Sequence, residues 1–146
     1  MLWTMTKNIV VGVDESEGAR RALSWAVHEA ALRGAELVVV HAWQFPAAAY
    51  VPYVPSSSIT IGAMEEMAEK MLAEMEASID MPPHVCIRHV LVEGPPAAKL
   101  LKEAKDAALL VVGTRGRGGF TGLLLGSVSQ HCVHHAPCPV VLLPAK

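Results

Sequence analysis

The chain has few cysteines, and they are not arranged for a disulfide framework. Cys86, Cys132 and Cys138 are the only three among 146 residues, their number is odd, and they form no CxxC pair. Small secreted domains that rely on disulfides need paired cysteines, whereas reducing compartments keep thiols unpaired. The cysteine content therefore predicts a reducing environment, and we expect the protein to be cytoplasmic.

The sequence also lacks a surplus of basic residues and any long apolar run. Twelve Lys and Arg stand against 14 Asp and Glu, which gives a net charge of −2. Proteins that coat nucleic acid need a basic excess to displace counterions. No stretch approaches the roughly 18 uninterrupted apolar residues that a membrane helix needs, and the start, MLWTMTKN, is unlike a signal peptide. We expect neither nucleic acid nor a membrane as a partner.

Apolar residues are plentiful enough for a well-packed core. Hydrophobic residues make up 52% of the chain and charged residues 18%. A domain of this length removes roughly 68–70% of its unfolded surface from water, which suffices without disulfides or a structural metal. We expect residues 1–146 to form a single domain.

Short β-branched runs alternate with segments of helical period, a pattern typical of an α/β protein with a parallel sheet. Three of the runs lack polar alternation, which predicts strands covered on both faces; these runs are Val38–Val40, Leu109–Val112 and Val140–Leu143. The five expected strands are Asn8–Val13, Glu36–Ala42, Val85–Val92, Leu109–Gly113 and Val140–Leu143. The four expected helices are Glu17–Arg33, Ala63–Ile79, Pro95–Ala107 and Ser127–His135.

The second expected helix carries methionines at spacings of three and four, with Ala68 and Leu72 beside them; they are Met64, Met67, Met71 and Met75. The spacing predicts a face that packs on the core, with a flexible partner-binding stripe as the alternative. The segment Gln44–Gly62 before it is long for such a connection, and it is either a ligand-covering lid or an ordinary mobile loop.

If the strand order is 3-2-1-4-5, right-handed crossovers place a crevice where the chain reverses direction, between strands one and four. Ligands of such sheets bind at the carboxyl ends of these strands. The residues expected there are Asp14, after strand one, and Gly113, at the end of strand four. The chemistry should therefore lie in the two loops that follow these strands.

The loop from Gly113 to Ser127 holds six of the eleven glycines in the chain. Unhindered backbone N–H groups and a helix N-terminus together favour an anion, and phosphate in particular. Ser127 and Ser129 lie in the first helical turn, where their hydroxyls either bond a phosphate oxygen or cap the helix. No acidic residue follows Ala107, and Arg115 adds positive charge. The loop matches neither a Walker A motif nor a Rossmann glycine fingerprint.

Asp14 has two interpretations. Its carboxylate could accept hydrogen bonds from a ribose hydroxyl or an adenine amino group, or hold magnesium. Alternatively, Asp14 and Glu17 are spaced close to a capping box at the start of the first helix. The residues alone do not decide between the ligand role and the capping role.

A second cluster of candidate ligands lies near the end of the fourth helix, at His131, Cys132, His134, His135 and Cys138. We expect no zinc site there, because Pro137 ends the helix between the ligands and no acidic partner lies nearby in sequence. His41, at the end of a buried strand, fits a core histidine with satisfied hydrogen bonds. The nucleophile elbow GxSxG is absent, so no residue is predicted to be catalytic.

The spacing G-x2-G-x9-G-[ST], formed by Gly113, Gly116, Gly126 and Ser127, together with the VGVDES segment, resembles the universal stress protein family. The resemblance covers nearly the whole chain. It implies a Rossmann-like (adenine nucleotide alpha hydrolase-like) three-layer sandwich and binding of ATP or a related adenine nucleotide. The positions implied to surround the nucleotide are Gly12, Val13, Asp14, His41, Ala42, Val112, Gly113, Thr114, Arg115, Gly116, Gly126, Ser127, Val128 and Ser129.

The resemblance also implies a homodimer that forms by antiparallel pairing of the edge strand Val140–Leu143. Arg115 departs from the residue that many relatives have there, so the choice among ATP, AMP and cyclic AMP stays open. We expect an adenine-nucleotide-binding protein of stress response and signalling. The alternatives are a slow ATPase in which Asp14 positions Mg²⁺ beside ATP, a protein that sequesters cyclic AMP, and an interaction module that uses the methionine-rich helix.

Overall fold

The computed structural model describes residues 7–44, 60–115 and 124–145, in which strands and helices alternate as predicted. The strands are β1 (Ile9–Gly12), β2 (Leu37–Trp43), β3 (Ile87–Glu93), β4 (Leu109–Gly113) and β5 (Val140–Leu143). The helices are α1 (Glu17–Arg33), α2 (Ile61–Ala77), α3 (Pro96–Glu103) and α4 (Ser127–His135). A 3-10 turn at Ala104–Asp106 follows α3, so the third helix is shorter than the expected Pro95–Ala107.

The five strands form one parallel sheet in the order β3-β2-β1-β4-β5, which confirms the predicted topology. β1 lies at the centre, with Val10 paired to Val38 of β2 and to Leu110 of β4. The chain reverses its direction across the sheet between β1 and β4. This switch point lies where the sequence predicted it.

Two hydrophobic clusters cover the two faces of the sheet and make a three-layer sandwich. One contains alternate strand residues such as Val11 together with Leu23 of α1 and Leu72 of α2. The other contains Val10 and Leu110 on the opposite face, together with residues of α3 and α4. The central strands are buried on both faces, because period-two alternation sends successive apolar side chains into different clusters.

The beginning of α1 corrects the interpretation of Asp14 as part of a capping box. Ser16 is the N-cap residue, and its side chain accepts a hydrogen bond from the backbone N–H of Ala19 at 3.1 Å. Asp14 lies two residues earlier, and its Oδ1 accepts a bond from the N–H of Ser16 at 2.8 Å. The helix ends at Gly34, which has the left-handed conformation with φ of 63°.

The methionine face of α2 is only partly a core face. Met75 is buried and Met71 packs against the first cluster, but Met67 is 64% exposed. The expectation that all four methionines pack on the core is therefore wrong at Met67. The helix begins two residues earlier than expected, since Thr60 caps it by accepting a bond from Ala63 N–H.

β5 lies at the edge of the sheet, as predicted, and this position limits its burial. Each of its four residues is only half-buried, so the expectation that both of its faces are fully covered is wrong. Within the described part of the chain, no helix is long and apolar enough to cross a membrane. Most of the segment interpreted as a lid or loop, residues 45–59, lies outside the described residues.

Candidate functional site

The carboxyl ends of β1 and β4 lie side by side at the switch point and carry the predicted residues. Val11 of β1 pairs with Val111 of β4, so Gly12 and Asp14 emerge beside Gly113. Asp14 is half-buried. Its bond with Ser16 N–H fixes the carboxylate at the base of α1. The structure therefore brings the two halves of the predicted crevice together.

A close backbone approach explains why residue 113 is glycine. A Cβ atom added to Gly113 would lie 2.9 Å from the carbonyl carbon of Gly18 in α1. A Cβ atom added to Gly18 would in turn lie 3.0 Å from the carbonyl oxygen of Arg115. The pair of glycines lets the first turn of α1 lie directly on the end of β4. This is a packing role for Gly113, and no local pattern in the sequence indicated its partner Gly18.

Thr114 joins the two ends of the glycine-rich loop. Its N–H donates to Leu143 of β5 at 2.9 Å, and its carbonyl oxygen accepts from Gly126 N–H at 2.6 Å. The hydroxyl of Ser129 also donates to the Thr114 carbonyl, with an O–O distance of 2.7 Å. These bonds hold the beginning of α4 against the end of β4. Gly116, the remaining glycine of the predicted motif, lies outside the described residues.

The first turn of α4 differs from those of α1 and α2. Gly126 is its N-cap residue, and within the described residues no side chain bonds the N–H groups of the first turn. Ser16 caps α1 and Thr60 caps α2. Helix geometry leaves the first amides without an intrahelical acceptor, and the helix dipole adds partial positive charge there. This end of α4 is suited to an anion.

The two serines of α4 have different environments. Ser129 is 3% exposed, and its Oγ lies 2.7 Å from the Thr114 carbonyl oxygen and 3.0 Å from that of Gly126. Its single hydroxyl proton is therefore used within the protein. Ser127, the first residue of the helix, is half-buried. The sequence raised phosphate binding and helix capping as alternatives for Ser129. Its hydroxyl bonds backbone carbonyls at the loop junction, which is a structural role that differs from side-chain capping.

The predicted site residues His41 and Ala42 lie on β2, the strand beside β1. The Nδ1 atom of His41 lies 2.9 Å from the carbonyl oxygen of Val13, so the ring donates its Nδ1–H to that carbonyl. The bond ties the end of β2 to the end of β1 and satisfies one ring nitrogen of this half-buried histidine. Ala42 pairs with Val92 of β3, one strand further from the switch point.

The side chains of the valines among the predicted site residues lie in or against the core. Val13 and Val112 are 6% and 4% exposed and belong to opposite core clusters. Val128 is partly buried against the second cluster. The described residues contain no group of three or more His, Cys, Asp or Glu side chains placed to hold a metal.

A groove between α1 and α2, which the sequence did not predict, opens beside Ser16. It has a volume of about 570 Å³, and its walls carry both charges and methionine side chains. Arg20 bonds Glu17 there, and the bond lowers the pKa of that carboxyl. The sequence feature that could have indicated this groove is Met67 beside Lys70. Helical spacing alone, however, does not show which methionine of α2 is exposed.

The sheet order and the two covering layers define a Rossmann-like α/β fold, with the ends of β1 and β4 and the start of α4 at its switch point. The model of the universal stress protein family matches residues 5–144. The chain belongs to the universal stress protein family.

Curated relatives support the same assignment. Universal stress protein Rv2005c of Mycobacterium tuberculosis is 38% identical over 134 residues, which cover 92% of this chain and 44% of that protein. Universal stress protein Rv1996 of the same organism is 39% identical over 135 residues, covering 92% and 43%. The chain thus spans less than half the length of these relatives.

Solved structures share the fold. A universal stress family protein from Burkholderia pseudomallei is 30% identical with a TM-score of 0.69, covering 98% of this chain and 99% of that one. A universal stress protein in complex with cAMP is 24% identical with a TM-score of 0.65, covering 98% and 100%. The universal stress protein from Archaeoglobus fulgidus in complex with dAMP is 22% identical with a TM-score of 0.65, covering 96% and 99%.

Proposed function

We propose that the chain binds an adenine nucleotide at the switch point and acts in stress response and signalling. The adenosine part would lie near Asp14 and the ends of β1 and β2, and the phosphates near the loop after β4. The observation that carries this proposal is the first turn of α4, which is held beside the end of β4 and which no side chain of the described residues caps.

The charge of the segment supports an anionic ligand. No acidic residue lies between Ala107 and the end of the sequence, while Arg115 is exposed at the mouth of the loop. The first-turn amides of α4, the helix dipole and the positive charge of Arg115 in the same loop all favour an anion. The complexes of two family members with cAMP and dAMP agree with an adenine nucleotide as the ligand.

The direct test is calorimetric titration of the nucleotide-stripped protein with ATP, AMP and cyclic AMP, each with and without Mg²⁺. We expect one nucleotide per chain. Preference for ATP favours a nucleotide sensor, and preference for cyclic AMP favours sequestration. Absence of binding by all three would refute the proposal.

Gly126→Asp tests where the phosphates lie. Gly126 has φ of −73° and ψ of 171°, which any residue adopts, and Asp is a good N-cap residue, so the variant should fold. Its carboxylate would compete with phosphate for the same amides, and we expect affinity to fall on the order of 100-fold. Two variants serve as controls. Gly126→Ser caps the same helix without adding charge, and Gly62→Asp adds the same charge at the start of α2. Unchanged affinity in Gly126→Asp would contradict the assignment.

We also propose that β5 forms a homodimer by pairing with the β5 of a second copy. Within the described residues β5 pairs with β4 alone, which leaves its outer edge available. An apolar edge strand promotes pairing with another strand, and an isologous two-fold contact is the commonest solution. Sedimentation of the purified protein tests the dimer.

A further inference from the structure

A pair of histidines on α4 has the geometry of a chelating site. His131 and His135 are four residues apart on the helix, and their ring centres are 4.6 Å apart. Both side chains are exposed, so an ion could reach them from solvent. We propose that His131 and His135 together bind a divalent transition metal ion with adjacent coordination positions near 90°, such as Ni²⁺ or Cu²⁺.

The separation of the rings sets the coordination angle. A metal ion lies about 2.0–2.1 Å from a ligating imidazole nitrogen, and therefore roughly 3.2 Å from the centre of that ring. Two ring centres 4.6 Å apart then subtend about 90° at a shared ion. This is the angle between neighbouring ligands in tetragonal Cu²⁺ and Ni²⁺ sites. A tetrahedral Zn²⁺ ion would require the rings to separate to about 5.2 Å.

The rings need only a small adjustment to share an ion. Their planes are tilted by 43°. The terminal torsion of histidine is broad, so each ring can turn a nitrogen toward the ion without leaving its χ1 rotamer. Nitrogen ligands of borderline softness suit these metals, whereas Mg²⁺ prefers oxygen ligands.

The neighbouring residues are poorer ligands. The ring centres of His134 and His135 are 6.4 Å apart, a separation that allows only a nearly linear arrangement around one ion. Cys132 is fully buried, so its thiol is not accessible to an ion in solvent. The described residues provide no third protein ligand. Water or donors from another molecule therefore complete the coordination.

This site is distinct from both the proposed nucleotide site and the zinc site considered from the sequence. His131 and His135 follow Ser127 by four and eight residues, which places them about 6 and 12 Å further along the helix axis. It also needs no cysteine, and Pro137 lies beyond both ligands. Metal binding here can be measured without nucleotide.

The test is calorimetric titration of the untagged protein with Ni²⁺, with Mg²⁺ as a control ion. We expect one Ni²⁺ per chain and no heat of binding from Mg²⁺. His131→Gln and His135→Gln should each weaken Ni²⁺ binding at least about tenfold, since losing even an outer partner of a ligand costs roughly 10–100-fold. His134→Gln, on the same helix, and His28→Gln, on α1, are the matched controls and should bind as the parent does.

Thermal unfolding gives a second readout. An ion that bridges one turn of the folded helix stabilises the folded state, so Ni²⁺ should raise the Tm of the parent and of both controls. At the same Ni²⁺ concentration it should raise the Tm of His131→Gln and His135→Gln less than that of the parent. Failure of the parent to bind Ni²⁺ would overturn the proposal, as would equal affinities in the parent, His131→Gln and His135→Gln.

Discussion

Gly113→Ala should destabilise the fold through a contact between two backbones. The added Cβ would lie 2.9 Å from the carbonyl carbon of Gly18 and 3.1 Å from its oxygen. Real Cβ atoms do not approach backbone so closely, and neither partner can rotate away as a side-chain end could. Overpacking of this kind typically costs about 1–3 kcal/mol. Part of that cost is offset by about 0.4–1 kcal/mol, because alanine restricts the unfolded chain.

We therefore expect the free energy of unfolding to fall by about 1–2 kcal/mol in Gly113→Ala. Gly62→Ala is the matched control, since residue 62 lies in α2 and its added Cβ would meet nothing closer than Thr60 Oγ1 at 3.9 Å. That variant should gain roughly 0.5–1 kcal/mol from helix propensity.

Urea denaturation followed by circular dichroism measures both variants, with equal m-values as the condition for comparison. The two changes should have opposite signs. If Gly113→Ala is as stable as the parent while Gly62→Ala is stabilised, the packing role assigned to Gly113 is refuted. The glycine would then be needed for the ligand alone, and the loss would appear only in nucleotide affinity.

Three further perturbations test the dimer edge, the loop junction and a buried thiol. Leu142→Pro should reduce dimerisation in sedimentation. The Pro139 and Leu143 carbonyls face β4, so the alternation of backbone groups along the strand turns the N–H of Leu142 toward the outer edge, where proline removes it. A dimer of unchanged affinity would argue against pairing of β5 edges. Ser129→Ala should cost about 0.5–1.5 kcal/mol of stability, since the Thr114 carbonyl keeps its bond from Gly126; no loss in urea denaturation would contradict the bond. Burial raises the pKa of the Cys132 thiol from 9.0 to about 11, so the unfolded chain ionises first and stability should fall between pH 9 and 11. Cys132→Ala should lose about 2 kcal/mol less over that range, and identical pH profiles would show that Cys132 is not the group.

The sequence predicted those elements whose limits are marked by strong local signals. α1 matches its expected bounds because Gly34 stops it, and β4 because its apolar run ends at a glycine. α2 was misplaced by two residues at each end, since Gly62 suggested a loop while Thr60 in fact caps the helix. Local signals place a cap within a few residues but do not show which polar side chain makes it.

The candidate site was predictable in position and less so in the roles of its residues. Sheet order alone places Asp14 and Gly113 at the switch point. The packing of Gly113 on Gly18 and the bond from Ser129 to Thr114 join segments 95 and 15 residues apart, and no periodicity encodes such contacts. Met67 shows the same limit, since a helical stripe can be wider than the surface that it meets.

The hydrogen bonds at Thr114 hold the two ends of the loop in place whatever residues the loop contains. Bonds from Gly126 and Ser129 to one carbonyl close residues 115–125 into a loop whose base is fixed by the protein itself. Loop-closure entropy changes slowly with length, by about 0.6 kcal/mol for each doubling. A designer could therefore exchange or lengthen this segment and leave the sheet and α4 in place.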